Sequence, residues 1–336
     1  MRWSLFCRVI DNHGDAGFCL RLARELVARG ETVQLFIDDA SALRWMQADA
    51  RIEPLPWPGE AEQPALGEVL IEAFGCELPS GVQRVAARDR PLWINLEYLS
   101  AESYVERSHG LPSPVLSGPA AGCVKRFCYP GFTARTGGLL RERGLQPAWQ
   151  AHDAQAWWRE RGLAALPDER QVSLFAYPGA PLDELLSALA DAPTRLLVFG
   201  GLQLPNQRPQ PAGLRVQTLP WLSQADYDRL LWSCDLNLVR GEDSFVRAQW
   251  AGRPMLWHIY EQDDDAHRAK LAAFLDLYGG PRSDWLRWNG LAEPPLDLKA
   301  LFGSEARRRA SAWRDRLLQG PELADTLQAW AMGKSQ

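Results

Sequence analysis

Trp3-Ser4-Leu5-Phe6-Cys7-Arg8-Val9-Ile10 runs into Asp11-Asn12-His13-Gly14-Asp15-Ala16-Gly17, and the way this passage reads decides the fold. The first eight residues form an apolar, strand-like run. The glycine-punctuated turn then opens an amphipathic helix, with Phe18, Leu22 and Leu26 on one face, Arg21, Arg24 and Glu25 on another, and Gly30 as its stop. A strand feeding a helix through such a turn belongs to an α/β sheet, whose carboxyl edge is where ligands bind and where glycine lets backbone approach them. Asp11 and Asp15 converge there with Gly14, and Arg240-Gly241-Glu242-Asp243-Ser244 repeats the construction in the other half of the chain.

The same alternation extends outward. Val33 to Ile37, Val69 to Phe74, Leu92 to Leu96 and Arg126 to Cys128 read as further strands of a parallel sheet. From about Arg141 to Asp168 the chain turns Arg/Glu-rich, and a domain crossing is expected near residue 150. The pattern then restarts with strands at Val172 to Ala176, Arg195 to Phe199, Arg215 to Leu219, Asp235 to Val239 and Pro254 to Tyr260. Helices are expected at Leu182 to Ala190, Tyr227 to Cys234 and Phe245 to Ala251. The organisation is therefore 1–150 followed by 151–336, two Rossmann-like domains facing a central cleft. The helices of Ser304 to Met332 are able to pack back on the first domain.

At 336 residues the chain exceeds what one core usually supports, and a 46% hydrophobic share fills two. No run approaches the roughly 20 apolar residues of a membrane span, no signal is expected at the start, and a cytoplasmic setting follows. A net charge of -5 argues against nucleic acid as a partner. The six cysteines show no metal or redox spacing and read as reduced structural thiols.

Several motifs read as structure. The first turn lacks the GxGxxG that seats a pyrophosphate in hydride enzymes. Asp38-Asp39 reads as a cap for the next helix, Asp263-Asp264-Asp265 as a helix start, and Trp158, Trp250 and Trp313 as core. His109, His258 and His267 have no ligand spacing and read as ordinary hydrogen-bonding or surface histidines.

Four long motifs carry a resemblance. They are Arg8 to Gly17, Trp93 to Ser100, Pro130 to Thr133 with Thr136 to Leu140, and Val239 to Gly252. Together they closely resemble bacterial protein-arginine rhamnosyltransferases that modify elongation factor P. His13 stands where many of those proteins carry tyrosine. The resemblance implies the GT-B glycosyltransferase architecture and an inverting transfer of rhamnose from dTDP-β-L-rhamnose to an arginine of that factor. It also implies a thymidine diphosphate product, no metal or other cofactor, and no membrane.

It assigns residues as well. An arginine guanidinium is protonated and delocalised, and attacks poorly unless a carboxylate orients it and accepts a proton. Asp15 is the candidate for that role, with Asp11 in support and Glu242 sharing the work. From the residues alone, Asp11 equally caps a turn, Asp15 equally caps a helix, and Glu242-Asp243 equally favours a helix dipole. The donor site is expected to comprise Gly14, Phe175, Tyr177, Trp221, Gln224, Arg240, Gly241, Asp243, Ser244 and Tyr260. Another sugar or protein acceptor, or a non-catalytic nucleotide-sugar-binding regulator, remains an alternative.

Overall fold

A computed structural model describes residues 1–10, 13–46, 52–205, 213–261, 265–293 and 295–333. The chain divides into two compact units, Met1–Arg143 with Leu317–Gln336, and Gly144–Arg316.

The first unit contains β1 (Arg2–Cys7), α1 (Gly14–Ala28), β2 (Thr32–Ile37), α2 (Leu43–Met46), β3 (Pro54–Pro56) and β4 (Val69–Ala73). It continues with α3 (Ser80–Asp89), β5 (Leu92–Leu96), α4 (Ser103–Ser108), β6 (Pro112–Pro114) and β7 (Val124–Cys128). Side chains alternate across a strand, so an apolar strand buried on both sides feeds two cores. Trp3, Leu5 and Cys7 of β1 join Leu35, Ile37, Ile71 and Ile94 in one core, whereas Phe6 joins Phe36, Leu70 and Trp93 in the other. Helix α1 closes the first core with Leu22 and Leu26, and α3 closes the second with Val82 and Val85. All six cysteines are buried and unbridged.

The seven strands lie in the order β3-β2-β1-β4-β5-β7-β6, parallel except for β6. From β1 the chain builds outward through β2 and β3, then resumes on the other side with β4. The strand order therefore reverses between β1 and β4. Strand β1 stops at Cys7, short of the expected Ile10, because the next amides leave the ladder for carboxylates. The Val9 N–H donates to Asp38 Oδ1 at 2.9 Å and the Ile10 N–H to Asp15 Oδ2 at 2.8 Å.

The second unit opens with α5 (Leu145–Gln150) and α6 (Ala154–Glu160), then β8 (Arg170–Leu174), α7 (Leu182–Leu189), β9 (Thr194–Val198) and β10 (Leu214–Thr218). It proceeds through α8 (Gln224–Ser233), β11 (Leu236–Arg240), α9 (Asp243–Ala251), β12 (Met255–His258), α10 (Ala266–Tyr278), α11 (Ser283–Trp288) and a 3-10 turn at Leu298–Phe302. Its parallel sheet runs β10-β9-β8-β11-β12, reversing between β8 and β11. Buried Arg247 on α9 donates from Nε and Nη2 to the two oxygens of Asp228 on α8, at 2.9 and 2.8 Å, and so fixes one helix against the other. Among the described residues no helix is long and apolar enough to cross a membrane.

Helix α12 (Ser304–Leu318) leads the chain out of the second unit, and α13 (Leu323–Ala331) belongs to the first. The expected boundary near residue 150 therefore moves to Arg143 and Gly144, and the segment from Leu317 onward leaves the second domain. The reason is packing. Leu323, Ala324, Leu327 and Trp330 complete the core that contains Leu22 and Leu26. Gly138, at φ +78°, allows the carbonyl of Pro321 to approach where a Cβ would stand only 2.1 Å away.

Arg29, just past the end of α1, fastens α13 with its whole guanidinium. It donates to Glu25 at 2.6 Å, Glu322 at 2.6 Å and Asp325 at 2.5 Å, with a side chain only 1% exposed. Burial holds the Glu322 carboxyl above its usual range. Removing a buried pair's cation leaves its acids uncompensated, at a cost of about 3–5 kcal/mol. Arg29→Ala should accordingly lower the melting temperature and speed amide exchange in α13. Protonated carboxyls need no countercharge, so the deficit should be smaller at pH 5 than at pH 8, and an equal deficit at both would reject this account.

Candidate active site

In an open parallel sheet, the crevice where strand order reverses is the place left for a ligand, because helices diverge to opposite faces there. In the second unit that place lies past the ends of β8 and β11. Phe175 and Tyr177 follow β8, and Arg240 ends β11. The Arg240 guanidinium lies over the ring of Phe175 at 4.2 Å and that of Tyr177 at 4.7 Å. The rings continue on both sides. Phe175 meets Phe199 at 5.0 Å, and Phe199 meets Trp221 at 5.4 Å. Tyr177 meets Tyr260 at 5.5 Å. Trp221 and Tyr260, at 40% and 43% exposure, are the open ends of this aromatic chain.

Five of the expected donor-site residues, Phe175, Tyr177, Trp221, Arg240 and Tyr260, are thus joined by ring contacts, the Trp221 link running through Phe199. Gln224 is buried at the start of α8, whose Tyr227 packs on Phe175 and Phe199. Such a surface, apolar with a few polar groups, suits a nucleotide base and sugar.

The turn after β11 supplies the charged end. Gly241 takes φ +61°, a conformation that a side chain disfavours, and its carbonyl accepts from Trp257 Nε1 at 2.8 Å. Trp257 itself stacks on Phe245 at 3.9 Å, which pins the first turn of α9. Glu242 occupies the N-cap position and makes no side-chain cap, Asp243 is half-buried in the first turn, and Ser244 is buried. A helix N-terminus of this kind presents amides to an anion.

In the first unit the reversal lies between β1 and β4, and the turn after β1 holds Gly14 and Asp15. Gly14 begins α1. Asp15 is 3% exposed in its first turn, not at the cap position, which is His13. Its bond from the Ile10 N–H ties one carboxylate oxygen to the outgoing strand. Asp11 lies outside the described residues. Asp39 Oδ1 accepts from the Ser41 N–H at 2.8 Å and so caps a turn ahead of α2, where a helix cap was expected. Asp265 is the N-cap residue of α10 without a side-chain cap, and Asp263 and Asp264 lie outside the described residues.

Two groups beside these corners are not among the site residues expected from the sequence. His258 pairs in register with Arg240, and its Nδ1 accepts from the Tyr177 N–H at 3.2 Å. In the first unit, Tyr98 stacks on Phe74 at 4.3 Å just past β5 and β4, and burial raises the neighbouring Glu97 carboxyl, which accepts from Asn95 Nδ2 at 2.8 Å. The signal available for His258 was position alone, at the end of a strand, whereas Glu97 and Tyr98 lie just past β5 within the Trp93 to Ser100 motif.

The chain was compared with known proteins. A family described as Elongation-Factor P (EF-P) rhamnosyltransferase EarP matches residues 3–332. A protein-arginine rhamnosyltransferase of Pseudomonas aeruginosa is 43% identical over 371 aligned positions, covering 97% of each chain. A solved structure reported as the structural basis for EarP-mediated arginine glycosylation of translation elongation factor EF-P superposes with a TM-score of 0.62 at 30% identity, covering 99% of each chain. The glycosyltransferase SnogD from Streptomyces nogalater shares the fold alone, at a TM-score of 0.57 and 14% identity over all of both chains. The two Rossmann-like units are those of a GT-B glycosyltransferase.

The aromatic chain depends on Gly200. At φ +79° it follows β9, and a Cβ there would lie 2.3 Å from the Phe175 ring. Gly200→Ala therefore has to strain the backbone and displace Phe175, at about 1–3 kcal/mol for the left-handed conformation alone. A lower melting temperature is expected, together with a shift in Trp221 fluorescence relayed through Phe199. An unchanged melt would contradict the packing.

Proposed function

We propose, because this chain belongs to the EarP family of elongation-factor P rhamnosyltransferases, that it moves rhamnose from dTDP-β-L-rhamnose to an arginine side chain of translation elongation factor P, with inversion. The modification would ready that factor for ribosomes stalled at polyproline, in the cytoplasm where translation occurs. The observation that carries the reading is the family match over residues 3–332, which takes in both turns at the reversal points of the two sheets.

The residues support a single displacement. The diphosphate of the donor is received by Arg240, Ser244 and the first amides of α9, and its thymidine and sugar by the surface of Phe175, Tyr177, Trp221, Gln224 and Tyr260. Gly14 and Gly241 leave room for backbone to approach, and Asp243 contributes backbone or ribose contacts. The acceptor guanidinium is gripped by Asp15, which orients one nitrogen toward the anomeric carbon. As the new C–N bond forms and the C–O bond to the diphosphate breaks, the nitrogen proton passes to the carboxylate and thymidine diphosphate leaves toward the cation. Asp11 and Glu242 assist at the acceptor.

The direct test is intact-mass measurement of elongation factor P incubated with the purified chain and the donor, in which one added deoxyhexose is expected. Addition from a different nucleotide sugar alone would redirect the assignment, and no product with any donor would point to a binding protein instead. Asp15→Asn keeps the shape but cannot accept the proton. Its turnover should fall by roughly 10²–10⁴-fold, the usual worth of a general base, with donor affinity intact. Near-normal turnover would remove Asp15 from the mechanism. Arg240→Ala loses the charged fork, and calorimetry should show donor binding weakened by roughly tenfold or more.

A further inference from the structure

His258 ends β12 directly beside Arg240, and parallel pairing of the two residues places their side chains on the same face of the sheet. Its position is fixed from several sides. Asn289 accepts from the Ile259 N–H at 2.9 Å and donates to the Trp257 carbonyl at 2.8 Å, clamping the peptides before and after it. The imidazole packs between the rings of Tyr177 and Trp288, each at 5.6 Å.

The hydrogen-bond pattern fixes the tautomer. Nδ1 accepts from the Tyr177 N–H, so in a neutral ring the proton resides on Nε2. Burial, together with the Arg240 guanidinium, pushes the imidazole pKa down to about 4, so the ring is neutral at physiological pH. Among the described residues, Nε2 has no protein hydrogen-bond partner, and it is not among the buried polar atoms that lack one. A half-buried ring therefore presents one oriented N–H at the carboxyl edge of the sheet.

We infer that His258 is a donor-site residue of this chain, whose Nε2–H hydrogen-bonds a phosphate oxygen of the nucleotide diphosphate beside Arg240. This rests on the donor-site reading given above. Arg240 brings charge, and a second cation in register with it would be repelled. The neutral imidazole instead adds a directed donor to the same oxygens without adding charge. The backbone N–H of Tyr177 is thereby a positioning group, since it sets which ring nitrogen carries the proton.

Two substitutions separate the ring's two duties. Asparagine can place an acceptor near the Nδ1 position and so keep the Tyr177 amide satisfied, but it does not reach to Nε2. Glutamine can carry a donor toward the Nε2 position. His258→Asn is expected to melt like the wild type, to bind thymidine unchanged in competition measurements, and to bind thymidine diphosphate roughly tenfold more weakly, with His258→Gln recovering part of that loss. Equal weakening toward thymidine and thymidine diphosphate would make the residue structural and overturn the inference, as would no weakening toward either. Weakening seen only with the intact nucleotide sugar would move the contact to the sugar and overturn it as well. Wild-type protein that bound neither thymidine diphosphate nor the donor would defeat the donor-site reading itself, and this inference with it.

Discussion

In a parallel sheet covered by helices on both faces, most positions between the strand ends feed a core. The polar side chains there, such as Glu72 with Lys125, are spent on one another, so polar chemistry open to a ligand is pushed to the strand ends. Trp3, Leu5 and Cys7 on one side of β1 and Phe6 on the other leave no place for a charge between Arg2 and Arg8. The carboxyl edge is further restricted to the point where strand order reverses, since elsewhere a crossing helix lies over it. That constraint places Asp15 in the first unit and Phe175 and Arg240 in the second. In the second unit the turn at that edge uses Gly241 at φ +61°, a conformation a side chain disfavours.

The element types were legible because apolar runs bounded by glycine or acidic residues carry the period of strands, and Phe18, Leu22 and Leu26 carry that of a helix. Their ends were less so. Cys7 closes β1 because carboxylates of Asp38 and Asp15 capture the next two free amides, a competition with no periodic signature. The place of α13 was likewise hidden. Leu323, Leu327 and Trp330 announce an apolar face without saying which core it enters, and Arg29 finds Glu322 across 293 residues. At the site, long motifs marked Asp15 and the Arg240 turn, whereas His258 had no spacing to recommend it. What orients its ring is a main-chain amide 81 residues away, and a backbone N–H looks the same in every sequence.

The acidic pair after Gly241 shows how geometry narrows a choice that composition leaves open. Glu242 and Asp243 suit the positive end of α9, yet a carboxylate that capped those amides would compete with a diphosphate for them. Glu242 sits at the N-cap position with helical torsions, φ -92° and ψ -49°, and its side chain makes no cap. An N-cap residue that accepts from the helix amides normally takes extended torsions, and the helical torsions of Glu242 go with the absence of such a cap. The helix keeps the benefit of a negative charge at its N-terminus, and on the proposed reading its first turn still meets the diphosphate. On the proposed reading, that division of labour lets one short turn serve two opposite charges, with main chain for the diphosphate that leaves and a side-chain carboxylate for the guanidinium that arrives.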